Sequence, residues 1–323
     1  LIRQKTDGNP FFVIQFLETL QHDGLLSLDR ARGQWMFRVE AIAAAATTDN
    51  VVTLMTQRIQ RLSSDGQHVL RLAACIGNPF EWATFLTATS LPVDQAEAGL
   101  EEAQSAGLIR PAEGQYASDP SGSARRGVYG FIHDRVQQAA YALIPEDQRV
   151  AVHLGVGRQL LAECGSVVPE DRLFEIVNHL NIGSALVEHA DERSALARLN
   201  LAAGRRAKSS AAYEAALRYL MAGIESCNEA WGTSDHAVVF ALHFERAECL
   251  YLAGQFDAAE RAHTYLLSHA TSKLDEAAVH ELRVTFYENR SRYAEAIASG
   301  RDGLTLFGVA LPDHDAAVSD ALE

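Results

Sequence analysis

The sequence predicts a mostly α protein in which a compact region of helices and short strands gives way to stacked helix pairs. Three observations carry that prediction. The stretch Gly130 to Leu143, GFIHDRVQQAAYAL, changes from strand-like to helical period at His133. From Glu170 onward, amphipathic helical patterning is almost continuous. An aromatic followed three residues later by Ala recurs at Tyr213 and Ala216, Phe256 and Ala259, and Tyr293 and Ala296.

The first segment, residues 1–50, opens with KTDGNPFFVIQFLETL. Asn9 suits an N-cap and Pro10 the first helical position, because proline's missing N–H is one the helix start leaves unpaired anyway. Val13, Phe16, Leu17 and Leu20 make the buried stripe, and Gly24 closes the helix. Leu25 to Leu28 and Trp35 to Arg38 read as two short strands around a turn containing Gly33.

Residues 51–165 form the second segment. Val52, Met55, Ile59 and Leu62 mark one helix. Val69, Leu72, Ala73 and Ile76 mark another, capped by Ser63 or Ser64 and ended by Gly77. A short helix around Trp82 to Ala88 precedes a longer one from Pro92 to Ala106, with Ala96, Leu100 and Ala103 inward. Leu108 to Arg110 and Val128 to Ile132 read as a strand pair around a Gly/Ser/Pro-rich segment that carries Arg125 and Arg126. Three helices followed by a two-stranded wing is the winged-helix order. The helix that would enter a DNA groove, Pro92 to Ala106, offers Asp94, Glu97, Glu101 and Glu102 outward and has no Lys or Arg, so it repels phosphates and presents no reader of base edges. The expected partner of this region is protein, with no nucleic acid.

The junction comes next. Val136, Ala139, Ala140 and Leu143 recur at i, i+3, i+4 and i+7, so His133 and Asp134 sit where a strand becomes a helix. A helix start presents unpaired N–H groups and the positive end of the helix dipole, which together attract an anion. Pro145 restarts the chain with Glu146 and Asp147 in a first turn, and Val150, Leu154, Gly157 and Leu161 supply the stripe.

Residues 166–323 are the third segment. Leu173, Ile176, Val177 and Leu180 form one face, and the helix pairs come after it. The aromatics that begin the second helices lie 43 and 37 residues apart. Small residues such as Ala247 and Ala259 let paired helices approach, and the aromatics are expected to fill between pairs. This arm resembles a degenerate tetratricopeptide solenoid, a fold whose concave face binds a protein partner.

The net charge is −14, divided between −4 for residues 1–163 and −10 for residues 164–323. That field repels nucleic acid and anionic membrane alike. No apolar run reaches the roughly 20 residues a membrane helix needs, so no membrane partner is expected. Cys75, Cys164, Cys227 and Cys249 are scattered, without a CxxC pair, as expected of small hydrophobes in a reducing cytoplasm. The start at Leu1 and the helical-looking last residues lead to the expectation of a piece cut from a longer protein.

Known catalytic patterns are missing. There is no GxxxxGK[ST] loop to cradle a triphosphate. Gly155-Val156-Gly157 is a lone GxG inside a helical pattern, and the triplet His133-Asp134-Arg135 lacks the other kinase elements. His280-Glu281-Leu282-Arg283 has the look of a phosphoacceptor box but lacks its following Pro and any ATP-lid glycines. No zinc spacing and no Ser-His-Asp set can be assembled. The 323 residues themselves are therefore expected not to be an enzyme. His133 reads either as a surface histidine at a helix start or as an imidazole placed to donate to a phosphate oxygen.

Taken together, Lys5 to Phe12 (KTDGNPFF), the Val51–Leu62 helix, the phrase Ala73-Ala74-Cys75-Ile76-Gly77, and Phe131 to Tyr141 (FIHDRVQQAAY) resemble the second half of the AAA-like, STAND-type ATPase region of large bacterial signalling proteins. In those proteins a Ser/Thr kinase domain often lies upstream, with a GAF domain and a histidine kinase downstream. The resemblance implies that residues 1–50 are the end of an ATPase lid. It implies that Gly8-Asn9-Pro10 matches the G-x-P motif whose Pro meets adenine. Ile132-His133-Asp134 would match the Met-His-Asp motif whose His meets the β-phosphate of ADP, with Ile in place of Met. The implied cofactor is ADP or ATP, bound mostly by residues outside this fragment, and the implied partners include other domains of the parent protein. The function it implies is a nucleotide-gated switch coupled to a protein-binding arm. The alternative is an ATPase–repeat transcriptional regulator whose DNA-binding domain lies outside this fragment.

Overall fold

The computed structural model describes residues 2–3, 10–44, 51–89, 91–112, 127–165, 167–227, 231 and 236–311. Gly8, Asn9, Arg125 and Arg126 lie outside them. The protein folds into two compact units, Leu1–Gln159 and Leu160–Glu323, and is mostly helical.

The first unit opens with α1 (Pro10–His22), which starts at the proline as its fixed φ dictates. Phe16 and Leu20 are buried with Ile42, while Val13 and Leu17 are partly covered. An antiparallel hairpin comes next, β1 (Leu26–Asp29) and β2 (Gln34–Phe37), with Leu28 opposite Trp35 and Leu26 opposite Phe37. A short helix the sequence pattern did not show, α2 (Val39–Ala44), carries Ile42 into this core. Its six residues are too few for a helical period to register.

The segment expected to be a winged helix contains α3 (Val51–Gln60), α4 (Ser64–Ile76), β3 (Phe80–Glu81), α5 (Trp82–Thr89), α6 (Val93–Ser105), β4 (Ile109–Pro111) and β5 (Val128–Phe131). Ser63 caps α4, its hydroxyl accepting from the Gly66 N–H at 3.2 Å. Ala96, Leu100 and Ala103 of α6 are buried, as their spacing required. The expected two-stranded wing is a three-stranded sheet of order β3-β5-β4. The added strand is only two residues long, yet it brings Phe80 into an aromatic core with Phe85, Tyr129 and Phe131. Of the carboxylates expected to point outward from α6, Glu102 takes hydrogen bonds from the backbone N–H and the hydroxyl of Ser63.

From β5 the backbone turns into α7 (Asp134–Ala142), which buries Val136, Ala139 and Ala140 against α3 and α4. Then comes α8 (Glu146–Cys164), in which Leu154, Val156 and Leu160 are buried while the predicted Val150 and Leu161 are only partly covered.

The second unit stacks helices. After α9 (Glu170–Ile182) come three pairs: α10 (Ala190–Ser209) with α11 (Tyr213–Ser226), α12 (His236–Leu252) with α13 (Phe256–His269), and α14 (Lys273–Glu288) with α15 (Tyr293–Thr305). Successive pairs also pack together, α11 on α12 and α13 on α14, so the fold is the helical-repeat solenoid the spacing predicted. Ala216, Ala259 and Ala296 are buried at the three equivalent positions. The aromatics do not fill the stack as expected: Phe256 is 38% exposed and Tyr293 60%. The small residue is what the packing needs, and the ring three residues earlier lies at its rim. Gly204 and Gly223 set close approaches, where an added Cβ would stand 2.7 Å from the Leu220 side chain and 2.6 Å from that of Leu242.

Candidate functional site

The junction is built by β5 ending against the rest of its sheet. Phe131 pairs with Ile109, and the Ile132 N–H donates to the Leu108 carbonyl at 3.2 Å, so strand pairing fixes the backbone up to the last residue before His133. His133 itself is extended, with φ −161° and ψ 147°, and α7 begins at Asp134. The imidazole turns back on the helix it precedes: its Nδ1 accepts from the Arg135 N–H at 3.1 Å. His133 is thus an N-cap made by an imidazole. Because Nδ1 accepts, the proton of the neutral ring resides on Nε2, which makes that nitrogen the donor.

The same geometry narrows what the helix start can do for an anion. The N–H of Arg135 is taken by the imidazole, and the carboxylate of Asp134 stands in the first turn. That charge is favourable to the helix dipole and opposes a second anion beside it.

Asn78 holds the junction in place, and sequence patterning did not single it out. Its side-chain Oδ1 accepts from the Phe131 N–H at 3.0 Å, and its Nδ2 donates to Asp134 Oδ1 at 3.4 Å. One amide therefore spans the end of the strand and the start of the helix. Gly130 lets it approach, since a Cβ there would stand 3.0 Å from Asn78 Oδ1. On the far side, Gln137 Nε2 donates to the Ala74 carbonyl at 3.3 Å. The useful signal was the glycine in the strand, which marks close approach of another group.

Of the other predicted site residues, Pro10 is exposed at the first position of α1. Pro10 and His133 stand on separate elements: α1 meets the hairpin and Arg58, while α7 packs on α3 and α4. Beside α1 lies an apolar hollow of ≈ 460 Å3, lined by Leu17, Leu20, Leu26, Phe37, Val39 and Ile42 among others.

In the repeat arm, charged side chains join successive first helices. Arg205 Nε donates to Glu245 Oε1 at 2.7 Å, and Lys208 Nζ reaches Glu245 at 2.5 Å and Glu248 at 2.6 Å, linking α10 to α12. Burial pushes the Glu245 carboxyl up, and the bonds from Lys208 and Arg205 outweigh it and hold it below the usual range. Between α9 and α10 runs a groove of ≈ 800 Å3 with Leu173, Leu199 and Ala202 on its walls and Arg205 and Arg206 beside them. His280 is buried, its Nδ1 3.1 Å from the Ser299 hydroxyl. Among the described residues no group of His, Cys, Asp and Glu could hold a metal, and no helix is long and apolar enough to cross a membrane.

No known family profile matches the sequence. A protein of Dictyostelium discoideum, hybrid signal transduction histidine kinase G, is 26% identical over 363 aligned residues, which cover 96% of this chain and 10% of that protein. The sequence thus spans a tenth of the length of the curated relative it matches. Among solved structures, the crystal structure of a Signal Transduction ATPase with Numerous Domains (STAND) protein with a tetratricopeptide repeat sensor, from Pyrococcus horikoshii, is similar over 95% of this chain and 46% of its own. Its identity is 14% and the TM-score 0.41.

Proposed function

We propose that this protein is the switch-and-arm portion of a multidomain signalling ATPase. In this reading residues before the repeat arm respond to a bound adenine nucleotide and the arm relays that state to a protein partner. The observation that carries the nucleotide half is the capping imidazole of His133, whose Nδ1 accepts from the Arg135 N–H so that Nε2–H is the donor. ADP, held mainly by residues of the longer protein, would take that Nε2–H at a phosphate oxygen. Pro10 would give its ring to the adenine face. The signalling half is supported by similarity to one tenth of a signal transduction histidine kinase along nearly the whole of this sequence. Catalysis and the other signalling steps belong to further domains of the parent protein, and the helix pairs supply the surface for the partner.

The test separates the cap from the phosphate donor and uses the full-length parent protein. His133→Ala removes both; His133→Asn keeps an N-cap acceptor but withdraws the ring donor. If Nε2–H meets the nucleotide, both variants lose a hydrogen bond to a charged group, on the order of 1.5–3 kcal/mol, or roughly ten- to a hundredfold in ADP affinity by isothermal titration. By linkage the same loss should raise signalling output without ligand, since ADP biases the switch only by its differential affinity for the two states. Wild-type affinity in both folded variants would leave His133 a helix cap alone.

A further inference from the structure

Among the described residues, the last helix of the arm carries an apolar stripe that no other helix covers. On α15 and the turn that ends it, Tyr293, Ile297, Leu304 and Phe307 are 60, 62, 39 and 53% exposed. They recur at i, i+4, i+11 and i+14, which places them along one side of the helix. The repeat register says what this side is for. Four residues after the leading aromatic, α11 has Leu217, which packs against the core that includes Phe240 of α12. Eleven residues after it, α11 has Ile224, buried, and α13 has Leu267, packed into the core that includes Val279 and Phe286 of α14. In α11 both positions, and in α13 the second, are apolar and packed against the first helix of the next pair, while at the first α13 has Glu260, which accepts from the Tyr287 hydroxyl of α14 at 2.8 Å. Ile297 and Leu304 occupy the same two positions on α15.

We infer that this stripe is the next interface in the stack, and that its occupant is the first helix of a further pair, supplied by the full-length polypeptide beyond Glu323. The interface continues one already present twice in the arm, between α11 and α12 and between α13 and α14. The occupant's chemistry is set by those precedents: apolar residues at i, i+4 and i+11, as Val238, Leu242 and Cys249 provide on α12 in the core that holds Ile224. Helix-pair repeats bury their faces only through their neighbours, so a bare second helix is the mark of an interface whose other half is to be supplied. The inference stands apart from the nucleotide reading and does not need it.

The experiment places Ile297→Cys, and separately Leu304→Cys, in the 323-residue protein and in the full-length natural protein. Labelling by N-ethylmaleimide under native conditions is read on the peptide that carries the new cysteine. In the 323-residue protein both positions should label quickly at every protein concentration. In the full-length protein both should slow by about tenfold or more, because the thiol then reacts only through local opening of a packed interface. Equal rates in the two proteins would overturn the inference. So would slowing in the shorter protein that grows with its concentration, which would assign the stripe to a second copy.

Discussion

In the unit that carries the junction, the described polar side chains in the core are Gln15 and His153, and His153 Nε2 meets the Tyr141 hydroxyl at 3.0 Å. The repeat arm buries His179, Asn200, His243, Glu245, His263, His280 and Ser299. Some are well matched: Asn200 and Asn181 exchange amide hydrogen bonds at 2.9 and 2.8 Å. Others are not, since His243 Nε2 and both ring nitrogens of His263 have no hydrogen-bond partner among the described residues. The contrast follows from architecture. The first unit closes its core with apolar faces, whereas an inner helix of a stack is pressed between its own partner and an adjoining pair. Positions that would face water on an isolated helix pair become interior, and their polar groups must accept whatever the neighbouring pair presents. His263 lies in that situation, its ring edge-on to Phe286 at 5.1 Å.

Acid should expose this difference more than any other treatment. Burial, with Arg246 and His269 adding to it, holds His243 at about 4. Burial, with Arg283 adding and Glu260 opposing, holds His263 at about 4. Their value in the unfolded state is near 6.5. Between those limits the unfolded arm binds more protons than the folded one, so the arm's stability rises with pH. The contribution is fully present above about pH 6.5 and is lost as pH falls towards 4, on the order of 3 kcal/mol for each histidine. Hydrogen exchange at pH 4.5 against pH 7 should therefore deprotect α12 to α14 well before α4 and α6. His263→Leu should flatten about half of the arm's acid loss and raise its melting temperature at neutral pH, because it removes two unpartnered buried nitrogens. A uniform loss of protection across both units would erase the contrast.

The next test asks whether the two units are packed equally tightly where helices touch. In the first unit a Cβ on Gly99 would stand 2.8 Å from the Asp65 carbonyl oxygen and 2.7 Å from Val69 Cγ2. The carbonyl belongs to the α4 backbone and cannot move without the helix. In the arm the atoms nearest a Cβ on Gly204 are side-chain atoms of Leu220, at 2.7 Å. Gly99→Ala should cost about 2–3 kcal/mol in urea unfolding, whereas Gly204→Ala should cost less, about 1 kcal/mol, as the better helix propensity of Ala offsets part of the strain on the buried Leu220. Equal costs would mean that the arm is as rigid as the first unit.

The features legible in the sequence were those that repeat or punctuate locally. The stripes of α4 and α6, the stop at Gly77, the strand-to-helix change at His133 and the three Ala positions of the arm all come from neighbours on one element, and the structure has them there. The concealed features depend on distant partners. Asn78 acts on residues 53 and 56 positions away, and β3 is too short to show a period of two. Lone histidines at 243, 263 and 280 look the same in sequence whether a neighbouring pair covers them or water does. The aromatics were assigned to the gaps between pairs on size alone, yet 60% of Tyr293 is open at the rim of its pair, where size does not decide burial.

The smallest expected effect concerns backbone conformation. In the first unit the described residues with left-handed φ are all glycine, Gly24, Gly33, Gly77 and Gly107. In the arm the turn inside each pair repeats one hydrogen bond: Ala212 N–H to the Ala207 carbonyl at 2.9 Å, Gln255 N–H to Leu250 at 2.8 Å, and Arg292 N–H to Tyr287 at 2.9 Å. This is the six-to-one bond of a helix stop, and it requires the residue before the donor to be left-handed. Those residues are Ala211, Gly254 and Ser291, at φ 57°, 75° and 57°. A Cβ in that conformation costs roughly 1–2 kcal/mol, and a glycine returns about half of the relief as lost backbone entropy. Ala211→Gly and Ser291→Gly should each stabilise the arm by about 0.5–1 kcal/mol, and Gly254→Ala should destabilise it by a similar amount. Nothing lies within 4 Å of a Cβ built on Gly254, so that cost would report conformation alone. Urea midpoints of the three variants decide it. A neutral Gly254→Ala would show that the turn relaxes at no cost, and that the arm tolerates Ala211 and Ser291 without strain.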